Sequence, residues 1–277
     1  MRHGIFHSSA WWALLIFCFI AACDIDFGFS PYESGVDSDI QGLNARNLAA
    51  LELSDTGSGQ TFQFALISDI HNDYEALRKA VEALNNRNDI RFVVVCGDVT
   101  DMGMKTEFSL FHSIMQGLRF PYIVVIGNHD TLCNGKDIYR RMYGEFDFSF
   151  VYEKCKFIVL NSNALEFPGE APDFDWLQSE LADTSGLNHV IQIAHVPPKE
   201  NDVFDGATAD YWRAILEDGG VLLSLHGHEH DGWRYQQNGV RYYCTKSISN
   251  RTFDVITITN VFFDYRRCDE SGCLAVP

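Results

Sequence analysis

The sequence predicts an α/β domain, and two observations lead to that prediction. Between residues 62 and 194, short and almost continuously apolar runs alternate with segments of helical periodicity. Strands that are apolar along their whole length belong to a sheet that is covered on both faces. After residue 232 the pattern changes to closely spaced strands with the turn signal Asn238-Gly239. We therefore expect the α/β domain to close on an antiparallel edge.

The predicted elements follow one another in a regular order. Six apolar strands are expected at residues 62–67, 92–96, 122–126, 157–160, 190–194 and 221–225. Apolar residues at helical spacing predict helices at residues 74–84, 105–118 and 173–182. Three further strands are expected at residues 234–237, 240–245 and 255–263. We find no internal repeat, so this order describes one unit.

Composition and charge exclude some classes of function. The 277 residues are 46% hydrophobic and 21% charged, which is typical of a chain that buries a sizeable core. The formal net charge of −17 argues against a nucleic-acid-binding surface, because phosphate backbones are bound by clustered Lys and Arg. An acidic protein can still act on small phosphate esters, since bound metal cations reverse the local field.

The N-terminus predicts export and a membrane anchor. Arg2 precedes an apolar run at residues 11–20, which is too short to span a bilayer comfortably. Residues 20–23 (Ile-Ala-Ala-Cys) resemble the lipobox of bacterial lipoproteins, although Ile20 stands where Leu is usual. We expect a signal peptide at residues 1–22 and a lipid on Cys23, as in an exported, membrane-anchored lipoprotein of a Gram-negative bacterium. An ordinary cleaved signal with a chance cysteine is the alternative, and the choice between periplasm and cell surface stays open.

Residues 23–60 are expected to form an acidic tether to a domain at residues 61–277. Seven acidic residues stand against one Arg between residues 24 and 60, which suits a solvated segment. A short docked helix at residues 43–53 is an alternative for part of it. Among the remaining cysteines, Cys268 and Cys273 are the expected disulfide, and Cys133 with Cys155 is a weaker pair. Cys96 and Cys244 are expected to be buried thiols, and the full connectivity stays open.

Five polar clusters follow predicted strands. They are Asp69-x-His71, Gly97-Asp98, Gly127-Asn128-His129-Asp130, His195 and Gly227-His228-x-His230. Open α/β sheets place their ligands at the carboxyl ends of strands, and right-handed crossovers bring successive ends to one rim. Each cluster alone is a weak signal, because a single His at a strand end is more often structural. The ordered set of Asp, Asn and His predicts a metal site.

These motifs, in this order, resemble the calcineurin-like metallophosphoesterase superfamily over roughly residues 62–263. The resemblance implies a two-sheet β-sandwich flanked by helices and a dinuclear metal centre. One implied metal is held by Asp69, His71 and His230. The second is held by Asn128, His195 and His228, with Asp98 bridging the two ions.

The ligand types are consistent with this chemistry. Carboxylate, amide and imidazole ligands suit Mn, Fe or Zn, and the absence of thiolates argues against a structural zinc site. The resemblance implies that a metal-bridging hydroxide attacks the phosphorus atom of a small phosphate ester. His129 would face the substrate as an acid or a stabiliser of charge, and Asp130 would orient it. A capping pair in a loop is the alternative for these two residues.

The details favour one branch of this superfamily. Residues 97–103 and 175–181 resemble the small bacterial branch that includes class III cyclic-nucleotide phosphodiesterases. Asp101 stands where purple acid phosphatases carry a tyrosine ligand, which disfavours that subgroup. We predict a metal-dependent hydrolase of phosphomonoesters or phosphodiesters. The alternatives are a non-enzymatic metal-binding scaffold of the same fold and an anchored binding module with an accidental motif set. Natural substrate, metal identity and oligomeric state stay open.

Overall fold

Residues 33–275, which the computed structural model describes, form two six-stranded β-sheets packed between helices. The strands are β1 (Phe62–Ile67), β2 (Ile90–Cys96), β3 (Tyr122–Val125), β4 (Phe148–Tyr152), β5 (Cys155–Val159), β6 (His189–Ile193), β7 (Leu223–His226), β8 (Asp231–Gln237), β9 (Val240–Lys246), β10 (Phe253–Ile258), β11 (Phe263–Asp269) and β12 (Gly272–Ala275). Their order is β12-β11-β10-β1-β2-β3 in the first sheet and β4-β5-β6-β7-β9-β8 in the second. The predicted fold class and the two-sheet sandwich are confirmed.

Alternate residues of the central strands face two different layers. The rings of Phe64 and Phe92 lie between the sheets, stacked with 5.0 Å between centroids, and Phe157 of the second sheet packs edge-on against both. Their neighbours Ala65 and Val93 face the helices on the other side of the first sheet. Because side chains alternate along a strand, a strand covered on both faces must be apolar throughout.

Helices cover the outer face of each sheet. They are α1 (Leu43–Glu52), α2 (Tyr74–Asn85), α3 (Lys105–Met115), α4 (Gly135–Met142), α5 (Phe174–Ala182) and α6 (Gly206–Asp218). Leu77 of α2, Phe108 of α3 and Tyr139 of α4 belong to the core against the first sheet. Leu177 of α5 and Trp212 of α6 belong to the core against the second. Strands β1, β2 and β3 run parallel to one another, and so do β5, β6 and β7. The carboxyl ends of these six strands lie at one edge of the sandwich.

Helix α1 confirms the docked helix within the predicted tether. The Asn44 side chain donates to the Val124 carbonyl at 2.8 Å and accepts the Val124 N–H at 2.9 Å. The Asn44 amide therefore pairs the N–H and the carbonyl of Val124 in edge strand β3, as a neighbouring strand would. Leu43 and Leu51 are buried, so this part of the segment packs on the domain. The boundary between tether and domain at residue 60 stays a prediction.

Other elements differ from the sequence prediction. The strand expected at residues 255–263 ends at Ile258 as β10, and a turn follows in which Thr259 Oγ1 accepts the N–H groups of Val261 and Phe262. Strand β11 begins only at the last residue of the expected strand, so it was not predicted. The apolar residues of this turn are exposed, so hydrophobicity alone did not mark the break. The prediction also omitted α4, α6, β4 and β12. Strand β4 is an edge strand with a half-exposed pattern, which weakens its apolar signal.

The cysteine predictions are partly confirmed and partly wrong. The disulfide between Cys268 and Cys273 is confirmed, as are the buried free thiols of Cys96 and Cys244. The suggested pair of Cys133 and Cys155 is wrong, because Cys133 is exposed on a loop and Cys155 is buried between the sheets.

The predicted signal peptide and Cys23 lie outside the described residues. Within residues 33–275, the helices are all too short or too polar to cross a bilayer.

Candidate metal centre

All seven predicted metal ligands meet at the carboxyl edge of the parallel strands. They follow β1, β2, β3, β6 and β7, and they are Asp69, His71, Asp98, Asn128, His195, His228 and His230. One group of donor atoms within 4.8 Å of one another comes from Asp69, His71 and His230. A second such group comes from Asp98, His195 and His228. The structure thus brings together every side chain that the sequence assigned to the metals.

Asp98, Asn128, His195 and His228 form what we call the inner set. His195 Nε2 lies 3.1 Å from Asp98 Oδ2 and 3.1 Å from Asn128 Oδ1. His228 Nδ1 lies 3.1 Å from the same Asn128 oxygen. The other nitrogen of His195, Nδ1, donates to the Cys96 carbonyl at 2.7 Å. That bond fixes the ring and leaves the Nε2 lone pair available to a cation.

Asp69, His71 and His230 form the outer set. His230 Nε2 lies 3.5 Å from Asp69 Oδ1, and its side chain is 54% exposed. His71 Nε2 lies 3.8 Å from Asp98 Oδ2. The Asp69 carboxylate also accepts the backbone N–H of His228 at 3.1 Å. Asp98 therefore lies within reach of both sets, which is the position that a bridging ligand needs.

The backbone around the ligands is strained. Left-handed φ angles occur at five of the seven, with 53° at Asp69, 48° at His71, 53° at Asp98, 71° at His228 and 33° at His230. Such angles cost non-glycine residues about 1–3 kcal/mol each and cluster at functional sites, where the surrounding structure holds them.

The glycines of the motifs allow close approach. A Cβ atom on Gly127 would lie 2.1 Å from Asp98 Oδ1. One on Gly227 would lie 2.0 Å from the hydroxyl oxygen of Ser68. The loops after β3 and β7 can therefore pack against the ends of β2 and β1 only with glycine at these two positions.

Charge is concentrated away from water in this centre. Asp69, Asp98 and His195 are almost completely buried. Burial raises the pKa of Asp69, against the lowering effect of His195. Burial alone would raise the pKa of Asp98, but His195 brings it down to about 2. Burial alone would lower the pKa of His195, but Asp98 and Asp69 raise it to about 10. Two buried carboxylates thus favour a positive charge between them, which protonated His195 carries in the metal-free protein and which a metal ion could supply in place of that proton.

His71 gives an independent sign that metal ions fit here. Both of its ring nitrogens are buried and have no hydrogen-bond partner among the described residues, although buried polar atoms are normally paired. Burial lowers the pKa of His71, and it lowers that of His228 to about 4, so both rings are neutral and can act as ligands. A donor set of carboxylate, amide and imidazole groups fits Mn, Fe or Zn.

His129 stands beside the two sets. Its backbone N–H donates to Asp98 Oδ1 at 2.9 Å, and its Nδ1 donates to the main-chain oxygen of Asp101 at 2.8 Å. The ring lies edge-on to that of His71, with 4.6 Å between centroids, and is 37% exposed. Because Nδ1 is occupied, Nε2 is the nitrogen that is left to face a substrate.

The prediction that Asp130 orients His129 is wrong. The fully buried Asp130 carboxylate accepts the N–H and the hydroxyl of Thr100, both at 2.9 Å, and the N–H of Gly127 at 3.0 Å. These bonds tie the loop after β2 to the loop after β3. Asp101 orients His129 instead, through its main-chain carbonyl. Sequence reasoning missed this role because a carbonyl contact leaves no signal in residue type.

His226 lies behind His195 and joins two of the strands that carry the centre. Its Nδ1 donates to the carbonyl of Ala194, the residue before His195, at 3.0 Å, and its Nε2 lies 2.7 Å from the Ser224 hydroxyl. Burial lowers the pKa of His226 to about 3. A neutral ring therefore bridges the ends of β6 and β7.

Comparison with known families gives one match that covers this whole centre. The model of a family described as calcineurin-like phosphoesterase matches residues 62–232. The match spans more than half of the chain and includes all seven positions predicted as metal ligands, so the chain belongs to a family whose model covers the whole candidate centre.

Two relatives illustrate the similarity in sequence. One, from Xenorhabdus bovienii, is named a probable cyclic nucleotide phosphodiesterase and is 24% identical over 165 residues, which cover 53% of this chain and 62% of the relative. The other is the human protein named serine/threonine-protein phosphatase CPPED1, 29% identical over 180 residues, which cover 55% of this chain and 57% of the relative. The chain therefore spans about three fifths of the length of these curated relatives.

Two solved structures show the same fold. GAP50, described as the anchor in the inner membrane complex of Plasmodium, matches with a TM-score of 0.63 at 14% identity, covering 79% of this chain and 87% of its own. The purple acid phosphatase PPD1 from yellow lupin seeds matches with a TM-score of 0.61 at 13% identity, covering 79% and 53%. At these identities the likeness concerns the fold alone.

Proposed function

This chain belongs to the calcineurin-like phosphoesterase family, and from that premise we propose that it is a dinuclear metal-dependent phosphoesterase. The reaction would be hydrolysis of phosphomonoesters or phosphodiesters. The observation that carries the proposal is the convergence of two sets of oxygen and nitrogen donors on one shared, buried carboxylate, that of Asp98. Relatives named as a phosphodiesterase and a phosphatase agree with this reaction class.

The two sets of donors would each hold one ion. The outer set offers Asp69, His71 and His230. The inner set offers Asn128, His195, His228 and Asp98, whose carboxylate would bridge to the outer ion. Bound Mn, Fe or Zn ions would polarise the phosphoryl oxygens and lower the pKa of a water molecule that serves as the nucleophile. The protein contributes the fixed positions of the ligands, through the Cys96 carbonyl on His195 and the Asp130 contacts behind Asn128.

His129 would act on the leaving group. Its Nδ1–H is committed to the Asp101 carbonyl, so when the ring is in the imidazolium form the Nε2–H can donate to a phosphoryl oxygen or give its proton to the departing alkoxide. The ring is partly exposed beside His71, which places it at the rim where a substrate would enter. Asp101 is a positioning residue in this scheme, because it acts through His129.

Hydrolysis of p-nitrophenyl phosphate and bis-p-nitrophenyl phosphate tests the proposal. The wild type should turn over at least one compound with Mn²⁺ and lose that activity after chelation. Asp98→Asn and His129→Ala should each abolish most of the turnover. His189→Ala is the matched control, because this histidine contacts the Thr259 carbonyl away from the centre, and it should retain activity within about twofold. The ratio of the two substrates would separate a diesterase from a monoesterase.

Failure of this test would favour the rival interpretation. A folded protein that binds two metal ions and turns over neither compound would be a metal-binding scaffold of the same fold. A protein that binds no metal would contradict the assignment of the ligands themselves.

We also propose that the protein is exported and attached to a membrane by a lipid on Cys23. The support is the apolar run at residues 11–20 followed by Ile-Ala-Ala-Cys. Mass spectrometry of the mature protein should show a lipid-modified N-terminal Cys23, and Cys23→Ser should release the protein from the membrane fraction. An unmodified N-terminus at another residue would contradict this part of the proposal.

A further inference from the structure

A second polar groove lies at the edge of the sandwich opposite α1. It has a volume of about 400 Å³ and lies between β8 and β9 of the second sheet and β11 of the first. Arg234, Arg241, Phe263 and Tyr265 line it. Arg234 is four residues beyond His230, which at about 3.3 Å per strand residue places it up to roughly 13 Å along the chain from that residue of the metal centre.

The strand register directs both arginines into this groove. Arg234 pairs with Tyr243, and Arg241 pairs with Gln236 on the same face. Tyr243 belongs to the core between the sheets. Because side chains two residues apart share a face, Arg234 and Arg241 also lie on the inner faces, where the sandwich opens.

Aromatic rings hold the two guanidinium groups in place. Arg241 lies over the ring of Phe263 with 4.8 Å from Cζ to the ring centroid, and Arg234 lies over Tyr265 at 5.3 Å. A guanidinium group that stacks on a ring keeps its N–H edges free for an anion. Two such groups side by side therefore present several donors to the same space.

The charge of these two arginines is not neutralised by the described part of the protein. Arg267, farther along β11, pairs with Asp254 at 2.9 Å. Among residues 33–275, by contrast, no carboxylate lies within 4.0 Å of Arg234 or Arg241. Asp264 borders the groove, but its carboxylate lies 3.2 Å from Arg266. In a chain with 38 acidic and 21 basic residues, two neighbouring cations without an acidic partner point to an external anion.

We propose that this groove binds a phosphate-bearing anion between Arg234 and Arg241. Guanidinium forks match the geometry of phosphate oxygens and bind them in pairs. The rings of Phe263 and Tyr265 add apolar surface beside the charge, which suits an organic phosphate. The phosphate belongs either to a soluble ester or to an anionic lipid headgroup. This site is separate from the metal centre and does not rest on the proposed activity.

Binding of inorganic phosphate to the metal-loaded full chain tests the groove. Calorimetry of the wild type should show one more bound phosphate than the variant Arg234→Gln/Arg241→Gln, or at least tenfold tighter binding at that site, with an affinity that falls as salt rises. Arg140→Gln is the matched control. This arginine also lies over a ring, that of Phe146, but has Glu145 beside it, and its removal should leave phosphate binding unchanged.

Vesicles distinguish the two sources of phosphate. If the ligand is a headgroup, vesicles of phosphatidylglycerol should bind the wild type more tightly than they bind the double variant, whereas phosphatidylcholine vesicles should bind both equally. If the ligand is soluble, phosphate binding should depend on the two arginines and vesicle binding should not. Circular dichroism checks the fold, and the two single Gln variants give the same answer if the double variant does not fold. Equal stoichiometry and affinity for phosphate in the wild type and a folded Gln variant would overturn the proposal.

Discussion

The inner and outer sets use the same types of side chain but differ in their surroundings. In the inner set Asp98 and His195 are buried, and His195 is held by the Cys96 carbonyl and by Asp98. In the outer set, His230 is more than half exposed, and both nitrogens of His71 lack hydrogen-bond partners among the described residues. On the proposed function, the inner set would be formed before a cation arrives, whereas the outer set would be completed by its cation. Unequal affinity of the two sites is the expected consequence.

The difference follows from how the chain reaches each site. His195 comes directly after buried strand β6, and Asp130 ties the loops that carry Asp98 and Asn128 to one another. His71 and His230 lie on turns, and the residue that follows each of them, Asn72 and Asp231, is exposed. Rigid support is thus greater on the inner side, and exchange of metal and access of substrate are expected on the outer side.

Asp98→Asn should have the largest effect, because it removes the carboxylate that both sets share. We expect turnover to fall by on the order of 10³-fold or more and both ions to bind more weakly. Kinetics with bis-p-nitrophenyl phosphate and elemental analysis of the purified variant measure these effects. A variant that kept two ions and turnover within tenfold would show that Asp98 is not the shared ligand.

His195→Ala and His230→Ala should affect stability and metal binding differently, because they remove one histidine from the inner set and one from the outer set. His195→Ala leaves the buried Asp98 without its partner, so we expect a stability loss of about 3–5 kcal/mol in the metal-free protein and loss of the inner ion. His230→Ala should leave stability nearly unchanged and weaken only the outer ion, by about 10–100-fold. Urea unfolding and elemental analysis of both variants provide the comparison. Equal losses in the two variants would remove the distinction between the sets.

The sequence predicted which side chains meet at this site better than it predicted the contacts that support them. Asp69, Asp98 and the two histidines of Gly-His-x-His have side chains that form the site directly, so their types and spacing are constrained. The contacts that hold His195 and His129 are made by the main-chain carbonyls of Cys96 and Asp101, which any residue could supply.

The fold shows the same limit. Strands β1, β2 and β3 are covered on both faces and are almost entirely apolar, so the sequence predicted them. Strand β4 is half exposed at an edge, and the break between β10 and β11 falls among exposed apolar residues. Their patterns depend on tertiary position, which one sequence does not record.

Asp130→Asn should weaken metal binding by the inner set, although Asp130 is not itself a predicted ligand. The amide would turn an NH₂ group toward either Thr100 or Gly127, where the carboxylate accepts hydrogen bonds. Losing such a bond to a buried donor costs roughly 2–3 kcal/mol. We expect a lower urea midpoint and weaker binding of the inner ion. Asp137→Asn, at an exposed position in α4, should change stability by less than about 0.5 kcal/mol.

Asp147 is a useful contrast to the carboxylates of the centre. It is partly withdrawn from water, but among the described residues no cationic side chain forms an ion pair with it. Burial raises its pKa to about 6, against the lowering effect of its bond from the Asn161 N–H. Between about pH 4 and pH 6 the folded state therefore keeps a proton on Asp147 that the unfolded state has released. The contribution of Asp147 to stability is present below about pH 4 and is lost as the pH rises to about 6.

Asp147→Asn should accordingly stabilise the protein at pH 7 and have little effect at pH 4. The expected gain is about 1–2 kcal/mol, because the side chain is partly buried and solvent screens part of its charge. Urea unfolding of wild type and variant at both pH values measures the difference. A gain that was equal at pH 4 and pH 7 would mean that ionisation of Asp147 is not the cause.

Stepwise removal of metal tests the central claim most directly. The purified protein would be titrated with a chelator while bound metal is counted by elemental analysis, in parallel with His230→Ala. Two ions per chain that leave in two separate steps, with only the tighter ion present in His230→Ala, would agree with one pre-formed and one completed site. A single ion per chain, or two ions that leave together in both proteins, would contradict the account.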